Sequence, residues 1–423
     1  MPNKKSLIVL LAVAGLALGV LSTPALVFAT STEQVLHSFN YNDGTVPVAS
    51  LIFDAAGNLY GTTEGDGPYG GGTAFELVPG ANGWGYEVLY NFCSATGCAD
   101  GGLPESRLIM DAVGNLYGTT SQGGNSRCGH GCGTVFQLTP SGGGTWTQTV
   151  LYTFTGGKDG GSPAAGLVFD AAGNLYGTTS QGGSHSMDCG SVGCGVVFEL
   201  ISQANGKWTE KVLHTFCSST GCRDGMTPNG LIFDAAGNLY TSTSQGGNYG
   251  GGAVFRLAPS ASGQRTGKVL HSFGKGKDGA SPYGELVFDA AGNLYGTTNR
   301  GGGYIGGTVF RLSPGANGTW NEKILHRFCP KSECQDGAYP YAGVILDAAD
   351  SLYGTTYYGG SYGLGTVFKL TPGANDRWRE TVLYDSDGGN PDAGLTWDTV
   401  GNLYSTTANG GYYGLGTVFE ITP

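Results

Sequence analysis

The chain has 423 residues, of which 79 are glycine, and charged residues make up only 13% of it. Hydrophobic residues reach 39%, which excludes a disordered chain and allows a large folded core. The formal net charge is −11 and no basic stripe occurs, which excludes nucleic acid as a partner because phosphate backbones repel an acidic protein.

The first predicted element is an export signal at residues 1–29. Lys4 and Lys5 precede the apolar run SLIVLLAVAGLALGVL, and small residues lead to a cleavage site after Ala29. The alternative is an uncleaved anchor helix, because residues 7–29 could just span a bilayer. No later segment is long and apolar enough to cross a membrane. We therefore expect an exported protein, secreted or at the cell surface, and free of the membrane once the signal is removed.

Residues 30–423 are predicted to form one domain of seven repeats. Each repeat carries a variant of DxxGNLYGTT, and the sixth copy is the degenerate DAADSLYGTT. Successive copies lie 51 to 64 residues apart, a period typical of β-propellers. The aspartates that open the copies are Asp54, Asp111, Asp170, Asp234, Asp289, Asp347 and Asp398.

Four short strand patterns occur in each repeat, for example GLVFD, NLYGTT, GTVFQL and WTQTVLYTF, and none has a helical period. The exported chain begins with QVLHSF, which matches the fourth strand, and ends with GTVFEI, which matches the third. Pairing these two ends would remove an exposed sheet edge. The sequence thus predicts an all-β fold, a single seven-bladed β-propeller with four antiparallel strands per blade, closed by the N-terminal strand in the last blade.

The pattern AAGNLYGTT…GG…GTVF resembles the GloVer tandem repeat of exported bacterial proteins, which are also described as "choice-of-anchor" repeat proteins. The resemblance covers essentially all of the chain after the signal. It implies export and association with the cell surface. It implies no established activity.

The ten cysteines form five pairs that are close in sequence. All of them fall in the loops between second and third strands or between blades, which lie on one side of the predicted disc; we call this side the decorated face. Export favours disulfides. The alternative is a metal site, for which CGHGC, with His130, is the best candidate, and cross-pairing between neighbouring loops is left open. The predicted disulfide cysteines are Cys93, Cys98, Cys128, Cys132, Cys189, Cys194, Cys217, Cys222, Cys329 and Cys334.

Every repeat carries DGxxP before its first strand. We interpret it as a structural turn in which aspartate accepts backbone hydrogen bonds, and calcium binding is the alternative. One position of the fourth strand holds histidine or tyrosine in every repeat, which indicates a half-buried structural site. The DGxxP aspartates are Asp43, Asp100, Asp159, Asp224, Asp278, Asp336 and Asp387.

No HExxH or phosphate-loop motif occurs, and the charged residues that could serve an enzyme are spread over several blades with nothing to pair them as acid and base. These residues are Glu64, Asp66, Glu105, Arg107 and Arg300. The tyrosines of the decorated face are distributed unevenly among the repeats and favour a binding site, because exposed tyrosine rings suit sugars or protein partners. The predicted ligand-binding tyrosines are Tyr357, Tyr358, Tyr362, Tyr412, Tyr413 and Tyr69.

The predicted function is therefore that of a secreted or cell-surface binding or adhesion module. We expect a monomer that binds glycans or surface proteins, without catalysis, metal or cofactor. Two alternatives remain open. One is a structural envelope or matrix protein without a specific ligand, and the other is a polysaccharide hydrolase or lyase on a propeller scaffold.

Overall fold

Seven four-stranded antiparallel sheets follow one another along the chain, and each sheet is one blade. The computed structural model describes residues 31–125, 127–183, 188–218, 220–260, 264–330 and 333–423. The predicted export signal lies outside these residues. Within each blade the strands are paired in sequence order. The predicted seven-bladed propeller is confirmed.

The first strand of a blade is mostly very short, while the other three have five to nine residues. Blade one contains β2 (Ile52–Phe53), β3 (Leu59–Thr63), β4 (Thr73–Gly80) and β5 (Gly83–Asn91). Blade two contains β6 (Ile109–Met110), β7 (Leu116–Thr120), β8 (Thr134–Pro140) and β9 (Trp146–Thr153). Blade three contains β10 (Val168–Phe169), β11 (Leu175–Thr179), β12 (Val196–Ser202) and β13 (Trp208–Thr215). Blade four contains β14 (Met226–Phe233), β15 (Leu239–Gln245), β16 (Ala253–Pro259) and β17 (Arg265–Ser272).

The remaining blades repeat this arrangement, and the last one takes a strand from the other end of the chain. Blade five contains β18 (Val287–Phe288), β19 (Leu294–Thr298), β20 (Thr308–Pro314) and β21 (Trp320–Arg327). Blade six contains β22 (Ile345–Leu346), β23 (Leu352–Thr356), β24 (Thr366–Pro372) and β25 (Trp378–Asp385). Blade seven contains β26 (Thr396–Trp397), β27 (Leu403–Thr407), β28 (Thr417–Thr422) and β1 (Thr32–Ser38).

Helical structure is limited to three single-turn 3₁₀ helices in the described residues. They are Thr96–Cys98, Ala316–Gly318 and Ala374–Asp376. Among the same residues, no helix has the length and hydrophobicity that crossing a bilayer requires.

The ring closes as the ends of the sequence predict. Strand β1 pairs antiparallel with β28, from Thr32 opposite Thr422 to Ser38 opposite Thr417. Phe39, directly after β1, is fully buried and packs against Phe75 of blade one, with ring centroids 5.2 Å apart. The N-terminal strand therefore completes blade seven and also connects it to blade one.

The hydrophobic core lies between neighbouring blades. One cluster, for example, joins Val135 of blade two to Leu167 and Phe198 of blade three. The second strand LYGTT is buried at every position, and in blade three its glycine allows close packing. A Cβ at Gly177 would lie 2.5 Å from Cζ of Phe198, well inside van der Waals contact. Each blade thus buries its faces only against its neighbours, which explains why the repeat recurs all round the ring.

The repeated DxxGN turn is held by its aspartate. In the third repeat Oδ1 of Asp170 accepts hydrogen bonds from the backbone N–H groups of Ala172 and Asn174. Its Oδ2 accepts from the side-chain amide of Asn174 and from the Tyr176 hydroxyl. These hydrogen bonds, chiefly those from Asn174, lower the pKa of Asp170 against the opposing effect of burial. The most prominent motif of the sequence is therefore structural.

The DGxxP aspartates contact the histidine or tyrosine of the fourth strand. Nε2 of His37 lies 3.1 Å from Oδ2 of Asp43, and the Tyr90 hydroxyl donates to Asp100 at 2.8 Å. Backbone N–H groups also donate to these carboxylates, as that of Asn40 does to Asp43. This position of the fourth strand fixes the loop that leads from one blade into the next, in accord with its structural interpretation.

A second contact reaches these loops from the next blade. The Tyr86 hydroxyl donates to the backbone carbonyl of Asp43, and Nε2 of Gln148 donates to the carbonyl of Asp100, each at 3.0 Å. Both residues pair with a buried leucine of the third strand. Glutamate occupies the same register in blades three, five and six, and one oxygen of each is buried without a hydrogen-bond partner. These glutamates are Glu210, Glu322 and Glu380.

A carboxyl group in this register can donate to the carbonyl only when it is protonated. Burial, followed by the charge of a nearby DGxxP aspartate, raises the pKa of Glu210 and of Glu322 to about 7. Burial raises the pKa of Glu380 to about 6. A group whose pKa is raised by folding stabilises the fold below its unfolded pKa and loses that contribution as pH rises through its folded pKa. Stability should therefore fall between pH 5 and pH 8.

Replacing all three glutamates by glutamine is expected to raise the Tm at pH 8 by a few degrees and to flatten its pH dependence. Glutamine donates its amide as Gln148 does and cannot ionise. After discounting for solvent screening, each substitution should raise the free energy of unfolding at pH 8 by roughly 1 kcal/mol. Calorimetry at pH 5 and pH 8 measures the effect.

The reverse substitution is the matched control. Gln148→Glu should lower the Tm at pH 8 but not at pH 5, whereas Glu87→Gln, at an exposed site of β5, should change neither. A triple variant that loses stability equally at both pH values would show that the glutamates are ionised in the native protein.

Candidate active site in the channel

The channel is lined by short extended segments, one from each blade. In six blades they lie between the proline of DGxxP and the first strand, and in blade four the segment lies within β14. The cavity that the seven segments enclose has a volume of about 680 Å³. A cavity of this size accommodates a small organic molecule. Because these segments enter from the DGxxP loops, their first residues lie at the end of the channel nearest the decorated face. We call this end the channel mouth.

Two positions of each segment determine the chemistry of the channel. The first channel position directly follows the proline, and from blade one to blade seven it holds Val48, Glu105, Ala164, Asn229, Tyr283, Tyr341 and Asp392. The third channel position lies two residues later and is absent from blade four, whose segment is one residue shorter. It holds Ser50, Arg107, Gly166, Glu285, Gly343 and Gly394. The repeats thus differ in residue type at both positions that face the channel.

Three carboxyl groups come together on blades seven, one and two. Burial and then the charge of Glu64 raise the pKa of Asp392 to about 6. Burial also raises the pKa of Glu105, and the Glu64 charge adds to this effect, while a hydrogen bond from the Ser121 hydroxyl at 2.6 Å opposes it. Glu64 lies at the end of the second strand of blade one, and burial raises its pKa as well. The group therefore contains a carboxyl poised to exchange protons near neutral pH.

Tyrosines of blades five and six form the wall beside these carboxyl groups. The Tyr341 ring lies 5.7 Å from the Tyr283 ring and 5.5 Å from the Tyr357 ring, measured between centroids. Burial raises the pKa of Tyr341 and of Tyr357, and the charge of Asp392 raises both further. Asp392 therefore sits where the acidic and aromatic parts of the mouth meet.

An ion pair crosses the channel below the mouth. Nη2 of Arg107 in blade two lies 3.3 Å from Oε2 of Glu285 in blade five. Small residues make room for it: a Cβ at Gly166 would lie 3.1 Å from Oε1 of Glu285, and one at Gly230 would lie 2.7 Å from its Cγ. Both charged side chains are about one-third exposed to the channel. The pair forms a polar floor beneath the mouth.

Most of the predicted ligand-binding tyrosines lie elsewhere. Tyr69, Tyr362, Tyr412 and Tyr413 are 57 to 86% exposed on the decorated face. Tyr358 is half exposed and packs against Tyr357, with ring centroids 4.7 Å apart. Tyr357 alone among the six belongs to the channel wall. No observation tests the predicted role of the exposed five.

Each predicted cysteine pair is joined by a disulfide, and no pairing crosses between loops. The bonds are Cys93–Cys98, Cys128–Cys132, Cys189–Cys194, Cys217–Cys222 and Cys329–Cys334. In blade three two disulfides meet, and their four sulfur atoms lie within 4.8 Å of one another. Where one disulfide stands alone a glycine faces it, as Gly71 faces Cys93. The disulfides tie down the loops that surround the mouth.

Among the residues considered for an enzyme, the structure brings Glu64 and Glu105 together. It pairs Arg107 with Glu285, a partner that the sequence analysis missed. Asp66 accepts a hydrogen bond from the Thr45 hydroxyl at 2.8 Å. Asp392, Tyr283 and Tyr341 were not predicted as site residues from the sequence. A usable signal was present, because the residue after the DGxxP proline is valine, alanine or asparagine in three repeats and tyrosine, glutamate or aspartate in the other four.

A family described as the Gloeobacter/Verrucomicrobia repeat matches residues 23–222, 130–333 and 228–423. The three overlapping matches cover nearly the whole chain and confirm the resemblance seen in the repeat pattern. No curated protein matches the chain in sequence.

Many solved structures are similar to this fold, among them two that are named as enzymes. The periplasmic gluconolactonase of Pseudomonas aeruginosa matches with a TM-score of 0.52 and 15% identity, over 86% of this chain and 95% of that one. A puromycin hydrolase matches with a TM-score of 0.50 and 12% identity, over 86% of this chain and 50% of that one. At these identities the likeness establishes the fold.

These comparisons contradict the predicted function. A binding or adhesion module without catalysis was expected, but the propeller is similar to solved structures that are named as enzymes. The error arose from giving weight to exposed loop tyrosines. The most concentrated polar chemistry lies instead in the channel, where residues from distant repeats meet.

Proposed function

The chain belongs to the Gloeobacter/Verrucomicrobia repeat family, and we propose that its propeller is a hydrolase with its active site at the channel mouth. The observation that carries the proposal is Asp392, a half-buried carboxyl with a pKa of about 6 beside a second acid and a tyrosine wall. Two carboxyl groups in unlike environments can act as general acid and general base, because their pKa values differ. The substrate is a small hydroxylated ester or lactone that fits the channel.

Asp392 acts as the general base. Its ionised carboxylate takes a proton from a water molecule as the water oxygen attacks the carbonyl carbon of the substrate. A pKa near 6 keeps it ionised at neutral pH and leaves it a stronger base than an ordinary aspartate. Its place at the boundary of the acidic and aromatic parts of the mouth allows the attacking water and the substrate to be held together.

Glu105 acts as the general acid. It gives its proton to the leaving oxygen when the carbon–oxygen bond breaks, and the proton taken up by Asp392 then restores it. Burial favours the protonated form of Glu105, as this role requires. The hydroxyl groups of Tyr341 and Tyr357 donate hydrogen bonds to the negative charge that develops on the carbonyl oxygen.

Export belongs to the same proposal. The proposed hydrolase works outside the cytoplasm, in an oxidising compartment where disulfides persist, and the five disulfides support this location. The periplasmic origin named for one structural relative agrees with it.

Turnover by the oxidised full-length protein tests the proposal. D-glucono-1,5-lactone and p-nitrophenyl acetate are suitable probes, and a pH-indicator assay measures hydrolysis above the spontaneous rate. Glu105→Gln should lower kcat by about 100-fold because it cannot donate a proton. Glu333→Gln, an exposed carboxyl on the decorated face, should leave kcat unchanged.

The result that would refute the proposal is equally concrete. If the folded protein turns over no lactone, ester, amide or glycoside of this size, the channel is not a hydrolytic site. Equal loss of activity in both variants would place the effect outside the channel mouth.

A further inference from the structure

The charges of the described channel residues are unbalanced. Four carboxyl groups, those of Glu64, Glu105, Asp392 and Glu285, are accompanied by two cations, because Arg107 lies in the channel and Arg300 lies near Tyr341. The Arg107 guanidinium already lies against Glu285, so it does not neutralise the other three carboxyl groups. With Glu105 protonated as the general acid, Glu64 and Asp392 are the carboxyl groups that bring negative charge to the mouth, and Arg300 is the one cation left to oppose them.

The side of the mouth next to this charge is aromatic. Tyr283 and Tyr341 are 41% and 38% exposed, and Tyr357 lies close enough to Asp392 for the carboxylate to affect its hydroxyl. The faces of tyrosine rings attract cations. One group placed beside Asp392 would thus meet a carboxylate on one side and aromatic rings on the other.

A buried amide beside this wall lacks a well-aligned hydrogen bond. Asn299 is 1% exposed and lies close enough to the Tyr341 hydroxyl to lower its pKa, but its Nδ2 makes no hydrogen bond of good geometry. Buried donors are rarely left unsatisfied in native proteins. This donor indicates a ligand that carries an oxygen acceptor in addition to its charge.

A single metal ion does not fit this arrangement. Metal ligation requires donor atoms that converge on one point, and among the described residues the cluster tight enough is that of Cys189, Cys194, Cys217 and Cys222. The carboxyl groups of the mouth are more widely spaced, although their charges still interact. An organic cation, which has a larger body, can contact several of them at once.

We infer that the channel mouth recognises an ammonium group on a hydroxylated substrate, held between Asp392 and the tyrosine wall with Glu64 and Glu105 nearby. The inference rests on the proposed function for the assumption that the mouth is the substrate site. It narrows the substrate class to amine-bearing hydroxylated molecules and excludes anionic ones. Glu64 and Glu105 then take part in selecting the substrate.

Calorimetric titration of the full-length protein with four matched probes tests the inference. D-glucosamine carries an ammonium group where D-glucose carries a hydroxyl and N-acetyl-D-glucosamine a neutral amide, and D-gluconate is an anion. At pH 7 glucosamine should bind about tenfold more tightly than either neutral sugar, and gluconate should bind least. Asp392→Asn should abolish this preference.

A second variant, Glu64→Gln, and its Tm distinguish loss of binding from loss of folding. Glu64→Gln should weaken glucosamine binding about threefold without affecting glucose, and its Tm shows whether it is folded. Equal affinity for the three sugars, preference for gluconate, or no saturable glucosamine binding overturns the inference. Ammonium preference without turnover would refute only the hydrolase, whereas turnover without ammonium preference would refute only this inference.

Discussion

Deleting residues 32–38 from the full-length chain is expected to abolish cooperative unfolding. The deletion removes every β1 partner of β28 and exposes the edge of blade seven. It also displaces Phe39, whose buried side chain alone should be worth about 3–5 kcal/mol. Because a folded protein has a net stability of only about 5–15 kcal/mol, loss of the closing strand should leave no stable ring. Calorimetry and near-ultraviolet circular dichroism measure the change.

Complementation identifies the cause of the loss. A synthetic peptide of residues 31–40, added to the deleted protein, should pair with β28 and restore a cooperative transition whose Tm rises with peptide concentration. A peptide with Phe39→Ala should do so more weakly. If the deleted protein alone unfolds as sharply as the intact one and at a similar temperature, the ring does not depend on its closing strand.

The fold could be predicted because its determinants are repeated and local. The DxxGN turn recurs seven times, and each aspartate satisfies backbone groups within four residues of itself, as Asp170 does. The complementary ends of the chain then indicated closure, since a third and a fourth strand each lacked its neighbour. Both inferences use strand pattern and turn chemistry, which a sequence displays directly.

The candidate site could not be predicted to the same extent, because its parts lie far apart in the chain. Asp392 and Glu64 become neighbours only when blade seven meets blade one. Arg107 reaches Glu285 only across the channel, three blades away. In the sequence these residues are isolated charges, and the binding site was predicted at the exposed tyrosines instead. Comparing the residues that follow each DGxxP proline would have identified the unusual positions, but not their distances.

Replacing Asp392 by asparagine is expected to lower kcat/KM by about 100-fold or more at pH 7, because the amide cannot accept the proton from water. The native protein should lose activity about tenfold for each pH unit below about 6, where Asp392 becomes protonated. Above this value the rate should be constant until another group titrates. Rates measured from pH 4.5 to pH 8.5 with one substrate provide the profile, and the Tm of the variant shows whether it is folded.

Glu64→Gln separates a catalytic Asp392 from a merely structural one. Removing the neighbouring negative charge makes ionisation of Asp392 easier, so its pKa should fall and the acidic limb of the profile should move to lower pH. The shift should be partial, because burial is the larger cause of the raised pKa and remains in the variant. A structural aspartate would change the level of activity without moving the limb. An unmoved limb in a folded, active Glu64→Gln protein would therefore exclude Asp392 as the base.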